Sequence, residues 1–164
     1  PNPAKAAWYF MGFQELLLHF HPVFGAIILP ILGIAALLGI PYLDKDMETT
    51  GVWFRSSLGR WIAGLSFALG IFGTIFFVLI DETWLNLTGW LPFLPPSISN
   101  GWVPVAALIL LAIGFVDALK ALGARKCEAR MGLFTLALSA FLTLTLIGIF
   151  FRGEGMVLIN PWSL

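Results

Sequence analysis

Charge is what this sequence has least of: nine Lys+Arg and nine Asp+Glu in 164 residues, or 11% of the chain. A soluble domain of this size carries about a quarter charged residues, and one so poor in charge would expose large apolar patches and aggregate. A soluble enzyme, a nucleic-acid binder and a disordered linker are therefore excluded. The two signs cancel to a net charge of zero, so there is no basic surplus to attract phosphates. Cysteine is limited to Cys127, which excludes an internal disulfide, a Cys-x-x-Cys redox pair and a zinc knuckle. Also missing are a phosphate-binding loop, a Gly-x-Gly-x-x-Gly after a strand, a Cys-x-x-Cys-His haem attachment and a Ser/His/Asp arrangement. The chain begins at Pro1 rather than Met, as expected of a processed or partial chain.

What the chain has in abundance is apolar length. Hydrophobic residues make up 59% and aromatics 15%, and the mean hydropathy is +0.94. A helix needs about 20 residues to cross a hydrocarbon core of roughly 30 Å. Four stretches are long and apolar enough to cross: 23–40, 61–80, 102–119 and 131–151. Four of them in one short chain argue against buried core helices of a larger soluble protein. The expected fold is an all-α integral membrane protein with four transmembrane helices, preceded by a short interfacial amphipathic helix over 7–20. In that segment Gln14, Glu15 and His19 share one side at helical spacing, the pattern of a helix lying along the interface or plugged against other spans. Between spans two and three, Trp84, Trp90 and Trp102 mark the headgroup level. Pro92, Pro95 and Pro96 are expected to rule out a further regular helix there.

Positive charge sets the expected orientation. Lys45, Arg55 and Arg60 fall between spans one and two, and Lys120, Arg125, Lys126 and Arg130 between spans three and four. Only Lys5 and Arg152 fall on the other side, so the bias is seven to two. By the positive-inside rule the basic side is cytoplasmic and both termini face outward. Ser66, Gly70 and Thr74, and again Thr135, Ser139 and Thr143, form small-residue stripes suited to close helix packing in lipid. Pro30 is expected to kink the first span.

Few residues are available for chemistry. His19 and His21 are two apart and point to different sides of a helix, so they cannot clamp one haem between them. Glu15 and His19 are one turn apart and can meet; a carboxylate beside an imidazole can accept and pass on a proton near neutral pH. The plainer reading is a pair that solvates the polar face of the helix. Asp117 is expected to pair with Lys120 three residues on. Cys127 is expected to be a plain reduced thiol in a basic cytoplasmic loop.

The run Pro1-Asn-Pro-Ala-Lys-Ala-Ala-Trp-Tyr-Phe10, followed by Phe13-Gln14 and His21-Pro22, resembles the C-terminal half of the cytochrome b family, which is the separate subunit IV of cytochrome b6f complexes. Pro41-Tyr42-Leu43, Phe54-Arg55 with Arg60, and the Pro-rich stretch 91–102 follow in the family's order. The resemblance covers 1–126; residues 127–164 add a further transmembrane helix and an outward-facing tail. It implies a membrane subunit of a bacterial quinol oxidoreductase of the quinol–cytochrome c reductase type, in the cytoplasmic (inner) membrane, with proton release outward. Quinone or quinol would bind against Trp8, Tyr9 and Phe10, at the interface with a partner chain carrying haem b. An iron–sulfur or cytochrome c subunit would accept electrons. The family's motif glutamate is replaced by Ala7, so Glu15 and His19 are the expected proton relay. The rival reading is a non-catalytic membrane anchor or scaffold of a respiratory or photosynthetic electron-transfer complex.

Overall fold

The hydroxyl of Ser56 accepts the Gly59 N–H at 2.8 Å, which opens helix α3 (Ser57–Ile80) with a side-chain cap for one of its orphan donors. A matching device opens α5 (Lys126–Phe150): Glu128 reaches back to accept the Arg125 N–H at 2.9 Å. The Ser56 hydroxyl also hydrogen-bonds the Glu128 carboxylate, so the two helix starts are tied side by side and the helices run parallel. Helix α4 (Val103–Ala121) runs back antiparallel to them, since Leu119 near its end packs with Ile62 and Ala129 near the two starts. These contacts come from a computed structural model that describes residues 4–43, 56–85 and 91–159.

The small-residue stripes carry the α3–α5 seam. A Cβ on Gly132 would stand 2.7 Å from Ile62, and one on Gly70 would overlap the Ser139 hydroxyl and lie 2.7 Å from the Leu136 carbonyl. Backbones approach closely here because there is no side chain to hold them apart. Further along, Val78 packs with Leu144 and Ile147.

Three helical stretches, Ser57–Trp84, Ile98–Ala121 and Lys126–Phe150, are long and apolar enough to cross a membrane. The expected first span is the exception. Its apolar helix is described over Phe24–Gly39, shorter than the other three, within helical backbone that continues through α2 (Leu29–Leu43). The disturbance expected from Pro30 is a π-helical turn at Phe24–Ile28, just earlier in the chain; a wider turn accommodates a ring that has no N–H to donate. Only the start of this helix is packed: Phe24 joins Phe20 and Val105 in a buried cluster, and its ring takes the space of the side chain that Gly101 lacks. Residues 31–38 are exposed. In the three long spans only 22%, 17% and 28% of the apolar window is buried, so most of their surface is left for lipid or other chains.

The prolines of the loop before α4 act differently from the expectation. Helix resumes at Pro96 rather than at residue 102, because the Pro95 carbonyl accepts the N–H of Ile98 at 2.8 Å and of Ser99 at 3.1 Å. Pro96 sits in a first turn, where a missing N–H costs little. A π-helical turn, Ile98–Trp102, leads into α4. Trp90 and the loop cations Lys45 and Arg55 lie outside the described residues. The other basic-loop residues, Arg60, Lys120, Arg125, Lys126 and Arg130, gather at the end of the bundle where α3 and α5 begin.

Candidate functional site

Helix α1 (Met11–His19) is too short to span, and its neighbours show how it is held. A Cβ on Gly12 would meet Thr145 and Phe141 at 2.6 and 2.9 Å, and one on Gly148 would meet Met11 at 3.1 Å. The helix therefore lies against the C-terminal end of α5, with Met11 buried. Of the two dispositions expected for an amphipathic helix here, the structure has the plugged one. Its polar side faces inward: Glu15 is 0% and His19 2% exposed. A pair that merely solvates a wet helix face is ruled out.

Burying a carboxylate requires compensation, and the compensation comes from far along the chain. Arg152, 1% exposed, grips Glu15 with both arms of its fork, Nε to Oε1 at 2.9 Å and Nη2 to Oε2 at 3.0 Å. Its remaining nitrogen, Nη1, donates to Glu82 Oε1 at 2.6 Å and to the Met156 carbonyl at 2.9 Å. Such planar, bidentate recognition is specific to arginine. The tail turns back to supply that carbonyl: Gly155 and Met156 both have positive φ, 68° and 62°, and the Gly153 N–H donates to the Val157 carbonyl at 2.9 Å. A left-handed methionine is uncommon; here its buried side chain and its bond to Arg152 hold it.

His19 completes the group. Its Nδ1 lies 2.5 Å from Asp81 Oδ2, its Nε2 is 3.8 Å from Glu15 Oε2, and its ring meets Phe77 edge-on at a centroid distance of 5.5 Å. The Nε2 atom is buried without a hydrogen-bond partner among the described residues. Asp81, 8% exposed, stands at the end of α3, where a π-helical turn, Asp81–Leu85, begins. Burial pushes the Glu15 carboxyl up, but the adjacent His19 and Arg152 outweigh it and hold the group below its ordinary value. Burial likewise pushes the His19 imidazole down, and Asp81 and Glu15 outweigh that and raise it. Both shifts favour the charged forms.

The aromatic run stands at the same end. Trp8–Phe10 is a 3₁₀ turn closed by the Phe10 N–H on the Ala7 carbonyl at 2.8 Å. Gln14 fixes the segment before it, accepting the Ala6 N–H at 2.7 Å and donating to the Ala4 carbonyl at 2.8 Å. Trp8, Tyr9 and Phe10 are 71%, 59% and 54% exposed. Their rings form a chain of edge and tilted contacts, 5.7 Å from Trp8 to Tyr9, 5.0 Å to Phe10, 6.4 Å to Phe13 and 5.1 Å to Phe141 of α5. This is one wall rather than a pocket. A groove of about 400 Å³ lies at the opposite end, lined by Ser57, Arg60, Trp61, Gly64 and Leu65.

The structure thus brings Glu15 and His19 together and sets Trp8, Tyr9 and Phe10 on the adjoining rim. Asp81, Glu82 and Arg152 were not legible as partners of this pair, although three carboxylates with one arginine on the cation-poor side were a signal that they pair. Asp117 and Lys120 form the expected local ion pair, 2.9 Å and exposed. Cys127 sits in the first turn of α5, where it is buried, rather than in a loop. Among the described residues no group of three or more His, Cys, Asp and Glu has the arrangement to hold a metal ion. Compared with protein-family models, with curated proteins and with solved structures, this chain matches none.

Proposed function

We propose that this chain is a membrane subunit of a bacterial quinol oxidoreductase, of the quinol–cytochrome c reductase type, that helps form an outward-facing quinol-oxidation site. One observation carries the reading: a short helix at the rim of a membrane bundle presents open aromatic rings at its start and a buried histidine–carboxylate group at its end. A quinol, when bound, supplies two electrons and two protons. Trp8, Tyr9 and Phe10 fit its flat headgroup as one apolar wall with faces for stacking, and the Tyr9 hydroxyl as a donor. The second wall belongs to a haem b-bearing cytochrome b-type partner, and electrons pass onward to an iron–sulfur or cytochrome c subunit. Within this chain the task is to orient the ring and to hold a proton near His19. The resemblance of the Trp8-Tyr9 region to the cytochrome b motif supports the same reading. So does the gathering of positive residues at the far end, which by the positive-inside rule favours a periplasmic rim.

A specific observation favours the second reading, a non-catalytic anchor or scaffold. Ala7 offers no carboxyl at the rim, and both oxygens of Glu15 are bound by Arg152. Quinol oxidation by the purified complex separates the two. Tyr9→Ala and Trp8→Ala are expected to raise KM for quinol about tenfold, the loss of roughly one well-placed contact of 1.4 kcal/mol. Wild-type kinetics in fully assembled variants would leave only the scaffold.

A further inference from the structure

We infer that one exchangeable proton is held by the His19–Asp81 couple, and that Glu15, locked by Arg152, is its fixed electrostatic anchor rather than a proton carrier. The use of that proton rests on the proposed quinol chemistry, whereas its location rests on the buried geometry alone. Among the described residues, charged groups reach this end from three elements. From α1 comes Glu15; from the end of α3 come Asp81 and Glu82; from the tail comes Arg152. Glu154 is exposed on the tail, the Lys5 ammonium donates to the Ile149 carbonyl at an exposed position, and residues 131–150 of α5 bring no charge to this end.

Three carboxylates face one guanidinium. Glu82 is 34% exposed on its side chain and so keeps part of its hydration. The three buried members are Glu15, Asp81 and Arg152, and Arg152 neutralises Glu15 through two hydrogen bonds of 2.9 and 3.0 Å. Asp81 carries the second buried negative charge, in contact with the His19 ring. A proton on that ring makes the buried set neutral; its loss leaves a net negative charge in an apolar surround, which is strongly disfavoured. The proton is counted for the couple, since at 2.5 Å between Nδ1 and Oδ2 the two groups titrate as one.

Glu15 does not compete for it. To accept a proton, one of its oxygens would have to surrender an arginine hydrogen bond, and the gap from His19 Nε2 to Glu15 Oε2 is 3.8 Å, too long for direct transfer. In exchange with water one N–H bond breaks and one O–H bond forms on the accepting water: His⁺/Asp⁻ becomes His/Asp⁻ plus a hydrated proton. Asp81 is therefore a positioning residue for the histidine, and Arg152 holds Glu15 ionised beside it.

The test reads protonation directly in the full chain in lipid nanodiscs, without quinol. Ring ¹⁵N shifts of labelled His19, distinguished from His21 by a His21→Gln variant, are followed against pH, and infrared difference spectra report protonated carboxylic acids. His19 is expected to be doubly protonated at pH 6.5, where a free imidazole is half neutral. Asp81→Asn is expected to move its midpoint down by at least about one pH unit, a tenfold loss of proton affinity. A neutral His19 at pH 6.5 in the unaltered chain would overturn the inference, and that measurement needs no variant to fold. So would an unchanged midpoint in Asp81→Asn, or a protonated-carboxyl band that Glu15→Gln removes. A titrating couple in a chain that supports no quinol oxidation would refute the proposed function and leave this inference standing.

Discussion

Arg152→Ala is the perturbation on which the described architecture makes its strongest claim. In the folded chain this guanidinium is 1% exposed and makes four hydrogen bonds, two to Glu15, one to Glu82 and one to the Met156 carbonyl. Removing it strands Glu15, itself 0% exposed, with no donor on either oxygen. Breaking a buried pair in this way costs about 3–5 kcal/mol, chiefly because one uncompensated charge stays behind. For a chain of this size that corresponds to a fall in Tm of roughly 10 °C. The paired variant Glu15→Gln/Arg152→Gln removes both charges and is expected to recover most of the loss, the two substitutions coupling strongly because their groups touch. Thermal unfolding in detergent, followed by near-ultraviolet circular dichroism, reads both. A loss below about 1 kcal/mol for Arg152→Ala, or a paired variant as unstable as the single one, would refute the buried bidentate pair.

The same buried charges fix how stability depends on pH. Because the His19 imidazole is raised above 6.5 in the folded chain, its contribution to stability is complete below that pH and is lost as pH rises through the folded value. Because the Glu15 carboxyl is held below 4.5, its contribution is complete above that pH and is lost as pH falls through the folded value. Stability should therefore peak between pH 4.5 and 6.5, and His19→Gln should flatten the alkaline limb; an unaltered chain equally stable from about pH 6 to 9 would contradict this. Gly70→Ala should push α3 from α5 and cost about 1–3 kcal/mol by overpacking, whereas Gly73→Ala, which meets nothing within 4 Å, should be tolerated. Thermal melts of the two variants, if indistinguishable, would dismiss the close seam.

Helix existence was legible because lipid imposes it: uninterrupted apolar length with so little charge has few other uses. The small-residue stripes were legible for a similar reason, and Gly70 against Ser139 shows them at work. Boundaries were read less well. Ser56 and Glu128 help open α3 and α5 several residues before the apolar runs begin, because caps are set by hydrogen-bonding chemistry that hydropathy does not register. The candidate site was half legible. Spacing four residues apart placed Glu15 beside His19, and the aromatic run Trp8-Tyr9-Phe10 announced itself.

By itself, then, the sequence determined that the chain is helical and suited to a bilayer, which side its cations favour, and that Glu15 and His19 share a helix face. Those properties are local or additive, so they can be summed along the chain. Only the tertiary structure decided that this face points inward, that Arg152, 137 positions away, closes on Glu15, and that Asp81, 62 positions away, meets His19. Those pairings depend on which helix ends come together, and that was settled by the parallel packing of α3 and α5, where glycine and serine let two backbones approach.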